Sequence, residues 1–437
     1  MRVAIVGLGH VGTVAAACLA ESGHTVVGVD INTAKIDQLN AGVSPVVEVD
    51  LGDLVGCNVD RGRLSATEDL TAAVKGCDVA AVTVGTPSGS DGDVYLDDVV
   101  RVVGQIGWAL GEADGWRLVV ITSTVPPGTV EGDLVPLLEE LSGKRAGIDF
   151  GVAFSPEFLR HGTAVSDFLS SPKTIVGTAD GRAAQAATEL YSPFATEVIR
   201  TSVPVAEMVK FSDTAWQALK VTFTNEIGRV AAAYGVDSRA VMSILSAETE
   251  LSMPDNDRDP GFAFGGSRMP KDLRILTHRA RKQGTSVPVL EAILESNRAH
   301  LDLALDKIAA LGARRVTILG LAFTSGTDDV RESAALGLAA RLLSEGYEVR
   351  IHDEHVDLQQ LVGANRNHLL TVLPEIAQHL DDDLHRATED ADVLVVTQSS
   401  PTYARVTAQS RPDQTVLDLC GVARPVDEAP NYVGLTW

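Results

Sequence analysis

The run Gly7-Leu8-Gly9-His10-Val11-Gly12 follows the apolar stretch Arg2-Val3-Ala4-Ile5-Val6 and leads into a helical pattern, and Asp30 closes the next Val-rich run. That spacing suits a diphosphate. Gly7 permits a tight turn, Gly9 lets a pyrophosphate approach the backbone, and Gly12 lets helix and strand pack closely. The phosphates would sit on the helix N-terminus, where unpaired N–H groups and the dipole favour negative charge. A carboxylate at Asp30 can accept both adenosine ribose hydroxyls and would repel a 2′-phosphate, so the expected cofactor is NAD rather than NADP. Glycines that only turn a flavodoxin-like loop are the plainer alternative, and the complete strand–turn–helix context argues against it. A similar start at Ile318-Leu319-Gly320 lacks the later glycines, so no second dinucleotide is expected there.

Other chemistry is limited by what the chain carries. Four cysteines (Cys18, Cys57, Cys77, Cys420) are too few and too scattered for a disulfide framework, and no CxxC or Cys/His spacing suggests zinc. No metal is expected, and a reducing cytoplasm fits best. With 59 acidic against 36 basic residues the formal charge is −23, which repels nucleic acid and anionic lipid heads. Neither is an expected partner. An anionic substrate would need Lys and Arg gathered inside a cleft. The N-terminus enters a strand at once, and no segment reaches the ~18 uninterrupted apolar residues of a membrane span. Neither a secretion signal nor a membrane anchor is expected.

The elements that must position these residues follow from periodicity. A length of 437 residues suggests two or three domains, and 45% hydrophobic with 22% charged residues is ordinary globular composition. RVAIVG, TVVGVD, DVAAVTVG, RLVVITS, DFGVAFS and KTIVGT alternate with helical patterns, the signature of βαβ units. Strand signals then give way to two long helices, at about 205–234 and 287–311, separated by a Pro/Gly/Asp-rich stretch from Met253 to Pro270. Alternation returns with RVTILG, EVRIHD, DVLVVT and TVLDL. The expected fold class is α/β: a Rossmann-like parallel sheet over 1–198, a central helical region over 199–312 and a smaller Rossmann-like α/β domain over 313–437. The long helix carries more apolar positions than one face needs, as in a helix buried against a second copy of the chain.

Longer blocks carry a resemblance. VDINTAKIDQLNAGVSPVVE (29–48), Thr86-Pro87, Ser123-Thr124-Val125-Pro126-Pro127-Gly128-Thr129 and Ser155-Pro156-Glu157-Phe158-Leu159-Arg160 lie in the first half. AEMVKFSDTAWQALKVTFTNE (206–226), FGGSRMPKD (264–272) and GLAFTSGTDDVRES (320–333) follow. From end to end the chain resembles the UDP-glucose/GDP-mannose dehydrogenase family. The resemblance implies an NAD domain, a central helix that makes a homodimer, and a C-terminal domain for the nucleotide half of a sugar substrate. Members oxidise a sugar C6 alcohol to a carboxylate in two hydride transfers.

By the same resemblance, Lys210 and Asp272 match the pair that holds a water and handles the hydroxyl proton, with Thr124 helping to place that water. Val11, Asp30, Lys35, Thr86, Thr124, Lys271 and Arg331 match cofactor-contacting positions. Glu157 joins the catalytic set. Phe158, Leu159, Lys210, Thr214, Phe264, Gly265 and Arg268 fall in the substrate-facing motifs. An ammonium meeting a carboxylate in a cleft can stabilise an alkoxide beside a nicotinamide. The plainer alternatives are a solvated helix face for Lys210 and a helix N-cap for Asp272.

The chain departs from the family where substrate would be handled. The second oxidation needs a cysteine in GGSCxPKD, because a thiolate adds to the aldehyde; here that position is Arg268. A guanidinium stays protonated and is no nucleophile. His161, Thr214, Thr324 and Ser155 stand where the family has Glu, Asn, Lys and Asn. Arg268 is open to two readings, a bidentate clamp on a carboxylate or phosphate or a charge turned to solvent. His161 is either a general acid/base near neutral pH or an ordinary loop histidine. The expected function is therefore an NAD-dependent oxidation of a nucleotide-sugar or related alcohol that stops at an aldehyde or ketone. Complete oxidation to a uronic acid by a non-cysteine route and a catalytically silent NAD-binding partner subunit are the alternatives.

Overall fold

The computed structural model describes residues 1–89, 92–171, 173–194, 197–247, 259–422 and 431–437. Positions 253–258 of the Pro/Gly/Asp-rich stretch lie outside the described residues. The chain divides into two compact units, Met1–Asp213 and Thr214–Trp437, and the boundary falls inside the 31-residue helix Val203–Ala233. Among the described residues no helix is long and apolar enough to cross a membrane.

The first unit is built on eight strands: β1 (Arg2–Val6), β2 (Thr25–Val29), β3 (Leu64–Thr67), β4 (Val79–Val82), β5 (Leu118–Ile121), β6 (Gly151–Phe154), β7 (Thr174–Gly177) and β8 (Val198–Thr201). Their order is β3-β2-β1-β4-β5-β6-β7-β8. The first six follow the doubly wound order in which the topology reverses between β1 and β4, the place where such sheets bind ligands. All pairings are parallel except that of β6 with β7, a single antiparallel match of Phe154 with Gly177; β8 then runs parallel to β7. Burial follows the pleat. In β1, Val3 and Ile5 enter one core, with Val14 and Cys18 from the helix α1 (His10–Glu21), while Ala4 and Val6 enter the other, with Val99, Val103 and Ile106. Side chains alternate faces along a strand, and helices cover both faces, so the strands read as continuous apolar runs.

The second unit carries a five-stranded parallel sheet of β9 (Arg315–Leu319), β10 (Glu348–His352), β11 (Val393–Val396), β12 (Thr415–Asp418) and β13 (Tyr432–Gly434), in the order β10-β9-β11-β12-β13. Numbered within the unit this is 2-1-3-4-5, the other common doubly wound order. The two sheets repeat one local device. Gly7 and Gly320 follow the first strand with φ of 108° and 105°. Asp30 and Asp353 after the second strand accept the amides of Leu8 and Leu321. Thr83 and Thr397 after the neighbouring strand donate to the Gly7 and Gly320 carbonyls. In the second copy Asp353 also accepts from the amide of Ala322 and from Gln398.

Among the described residues, the helices Val203–Ala233, Ser238–Ser246, Met269–Lys282 and Pro288–Ala310 make up the α-helical region. Ala215, Ala218, Phe264, Leu273 and Ile293 form its small core. On the long helix Trp216, Phe223 and Val230, spaced by seven, remain 53%, 43% and 55% exposed.

Candidate active site

The diphosphate turn is shaped by its glycines and by Asp30. A Cβ on Gly12 would lie 1.8 Å from the Gly7 carbonyl oxygen, so the start of α1 closes directly over the turn. A Cβ on Gly7 would meet the Val84 nitrogen at 2.9 Å on a positive-φ backbone, whereas Gly9 faces open space. One Asp30 oxygen accepts from Leu8 N at 2.7 Å and the other from Asn32 N at 2.9 Å. Each oxygen keeps a second lone pair for a ribose hydroxyl. Lys35 Nζ donates to Leu8 O at 3.0 Å and so ties the turn to the helix Thr33–Asn40. Val11 packs partly buried against the first core, Thr86 is buried, and Thr124 is half-buried at the end of β5. The open approach at Gly9, the α1 N-terminus and the oriented Asp30 carboxylate fit a dinucleotide. Asp30→Ala is expected to weaken NAD binding and to narrow its margin over NADP; calorimetric titration of both cofactors checks this, and equal affinity in the unmodified protein would contradict the assignment.

Lys210, also in the first unit, is buried. Its ammonium donates to Glu157 Oε1 at 2.7 Å and to the Glu157 carbonyl at 2.5 Å. The other Glu157 oxygen accepts from Leu159 N at 2.8 Å, which holds the SPEFL loop in a tight turn. Phe158 places its ring 5.6 Å from Lys210 Nζ and 4.3 Å from Lys173 Nζ, and Leu159 is buried. Lys210 is thus no solvated face residue.

Glu207, one helical turn before Lys210, was not singled out from the sequence. It is fully buried and accepts from Gly128 N at 2.6 Å and Val130 N at 3.0 Å. Burial pushes its carboxyl above the usual carboxylate range, while the two backbone donors pull it back. It clasps the turn that follows Thr124 to the helix that carries Lys210. Its place one turn from Lys210 was readable, but the target of its carboxylate was not.

In the second unit Asp272 lies in the first turn of Met269–Lys282, buried, and one carboxylate oxygen accepts from Thr214 Oγ1 at 3.0 Å. Lys271 Nζ stands 3.8 Å from its other oxygen. Asp272 does not cap the helix; Arg268 occupies the N-cap position without a capping side-chain bond. The Arg268 guanidinium donates to Gln217 Oε1 at 2.9 Å and is half-buried, so it has not turned out to solvent. Phe264 is fixed by two hydrogen bonds to Asn297. A Cβ on Gly265 would lie 2.3 Å from the Glu332 carbonyl, so that segment lies against the 329–333 loop. There Arg331 forms a fork on Asp329, and Arg274 forms another on Glu332, which has a φ of 51°.

His161 follows the SPEFL loop and stacks on His10, with ring centroids 3.7 Å apart. His10 in turn meets the buried Glu48. No sequence signal joined these three residues, which come from separate segments.

Models of the UDP-glucose/GDP-mannose dehydrogenase family match residues 1–195 (NAD binding domain), 204–299 (central domain) and 317–425 (UDP binding domain). The chain is 40% identical over 438 residues, covering all of both proteins, to the GDP-mannose 6-dehydrogenase of Pseudomonas putida. It is 36% identical over 361 residues, 81% of this chain and 83% of the relative, to a UDP-glucose 6-dehydrogenase of Haloferax volcanii. Among solved structures, a UDP-glucose dehydrogenase from Pyrobaculum islandicum superposes with a TM-score of 0.89 at 31% identity, covering 100% of this chain and 98% of that one. A ternary complex of GDP-mannose dehydrogenase from Pseudomonas aeruginosa is 41% identical with full coverage of both chains and a TM-score of 0.57. Together with the dinucleotide turn and the Asp30 carboxylate, these matches place the chain in the UDP-glucose/GDP-mannose dehydrogenase family, as an NAD-dependent nucleotide-sugar dehydrogenase.

Proposed function

We propose that this enzyme removes two electrons from a nucleotide-sugar alcohol and releases the carbonyl product. NAD, when bound, supplies the hydride acceptor. In the roles the family resemblance gives them, the Lys210 ammonium stabilises the developing alkoxide, the Asp272 carboxylate takes up the hydroxyl proton by way of a water, and Thr124 helps to place that water. Arg268 carries the reading: where the family resemblance places the thiol, a guanidinium bonded to Gln217 stands at the head of the helix. Three of the four cysteines are ruled out as a replacement by burial. Burial pushes Cys18 up to about 12 and Cys77 up to about 11, and raises Cys420 well above the ordinary thiol value. A buried, neutral thiol is a poor nucleophile. Substrate choice rests on similarity, and GDP-hexoses head the panel to be screened because three full-length relatives at 39–41% identity bear the name GDP-mannose 6-dehydrogenase. That name also favours the second reading, oxidation through to the acid, with His161 as the base that would activate water. Counting NADH formed per product molecule separates the two.

The same reading includes a homodimer formed along Val203–Ala233. Trp216, Phe223 and Val230 support it, since residues spaced by seven share one helix face and large exposed apolar side chains in a row are characteristic of a contact surface. Light scattering at micromolar concentration is expected to give twice the mass of one chain; the single-chain mass would refute the dimer.

A further inference from the structure

We propose that His10, Glu48 and His161 form a binding site for one divalent transition-metal ion beside the diphosphate turn. The three come from the first residue of α1, the loop before the helix Leu51–Asp60, and the loop after β6. One donor atom from each lies within 4.8 Å of the other two. Glu48 is wholly buried and the His10 side chain is only 11% exposed, so this is not a solvated surface cluster. The carboxylate is also held from behind: Gly162 N donates to Oε2 at 2.9 Å and Ala164 N to Oε1 at 3.2 Å. Ligating carboxylates are oriented by such outer hydrogen bonds.

His10 Nε2 lies 2.7 Å from Glu48 Oε2. A cation entering there takes the place of that hydrogen bond and leaves both backbone donors engaged. A histidine–carboxylate pair needs two groups, and the third donor, His161, is what distinguishes the cluster. Its ring is stacked on His10 with an interplanar angle of 16°, so ligation requires the two rings to splay until both nitrogens point at the ion. Two imidazole nitrogens and one carboxylate oxygen, with a fourth position left open, suit Zn²⁺ or Co²⁺. Mg²⁺ and Ca²⁺ prefer all-oxygen sets. Because His10 opens the helix that receives the diphosphate, an ion held there would add positive charge next to the cofactor phosphates.

The test uses the full-length chain after dialysis against a chelator. Titration with Zn²⁺ by calorimetry, and with Co²⁺ by visible absorption, is expected to show one ion per chain. His10→Gln and His161→Gln should each weaken binding at least ~10-fold, the lower end of what metal sites lose when one supporting group is removed. X-ray absorption on the Co²⁺-loaded unmodified protein gives a readout that does not depend on variants folding, and a first shell containing two imidazoles is expected. Absence of saturable binding, unchanged binding in both folded variants, or an all-oxygen first shell would each overturn the site and leave the His10–Glu48 contact as a hydrogen bond alone.

Discussion

Lys210→Met and Asp272→Ala are each expected to lower kcat by ~10²–10⁴-fold, the range attributable to a positioned acid–base group. Methionine keeps the apolar stem that the buried lysine packs and removes only the ammonium. The substitution takes away the donor to Glu157 Oε1, while the Leu159 amide still donates to Oε2. Near-UV circular dichroism and NAD titration on both variants show whether the fold and the dinucleotide turn persist. The expected pattern is retained NAD binding with turnover nearly abolished. Turnover within a few-fold of the unmodified enzyme would remove both residues from the proposed proton path. Thr214→Val, which deletes the hydroxyl donated to the buried Asp272, should give a smaller loss in the same direction, since one neutral hydrogen bond contributes ~1 kcal/mol.

One NADH is expected per substrate molecule, with a carbonyl product that hydroxylamine traps and excess NADH reduces back to the alcohol. The second oxidation in this chemistry requires a tetrahedral adduct able to release another hydride, and a thiolate forms that adduct readily whereas a guanidinium does not. Water could hydrate the aldehyde in its place, but the half-buried Arg268 side chain stands where the family resemblance places the thiol. Arg268→Ala is expected to raise KM by ~10–100-fold with a smaller change in kcat, because a charge-assisted bond to an anionic group contributes ~1.5–3 kcal/mol to binding. Two NADH and a carboxylate from the unmodified protein would refute the single oxidation and turn attention to His161→Gln as the variant that blocks the second step.

Much of the dinucleotide half was legible because its parts are contiguous. Gly7, Gly9 and Gly12 act on a turn only a few residues long, and Asp30 lies at the end of the adjacent strand, so periodicity and spacing were enough to propose a diphosphate site and a preference for NAD. The continuous apolar runs of β1, β4, β5 and β6 followed from burial on both faces. β3, β8 and β13 gave no such signal. They lie at sheet edges, where at most one residue of each strand is buried, so their residues are mixed in polarity and carry no clear alternation.

The sequence by itself determined the α/β class, the cofactor chemistry and the arginine at position 268 of the GGSRMPKD motif, because each of these depends on residue type and short-range spacing. The tertiary structure decided what those residues touch. An apolar run encodes burial but not strand direction, so the reversal between β6 and β7 emerged only from pairing. Glu207 reaches Gly128 and Val130 across more than seventy residues of chain, and no helical period carries that information. Arg268 meets Gln217 in place of solvent. His10, Glu48 and His161 converge because α1, the loop before Leu51 and the loop after β6 meet at one edge of the diphosphate turn. Such convergence depends on how the layers pack, and that is a property of the folded chain rather than of any segment in it.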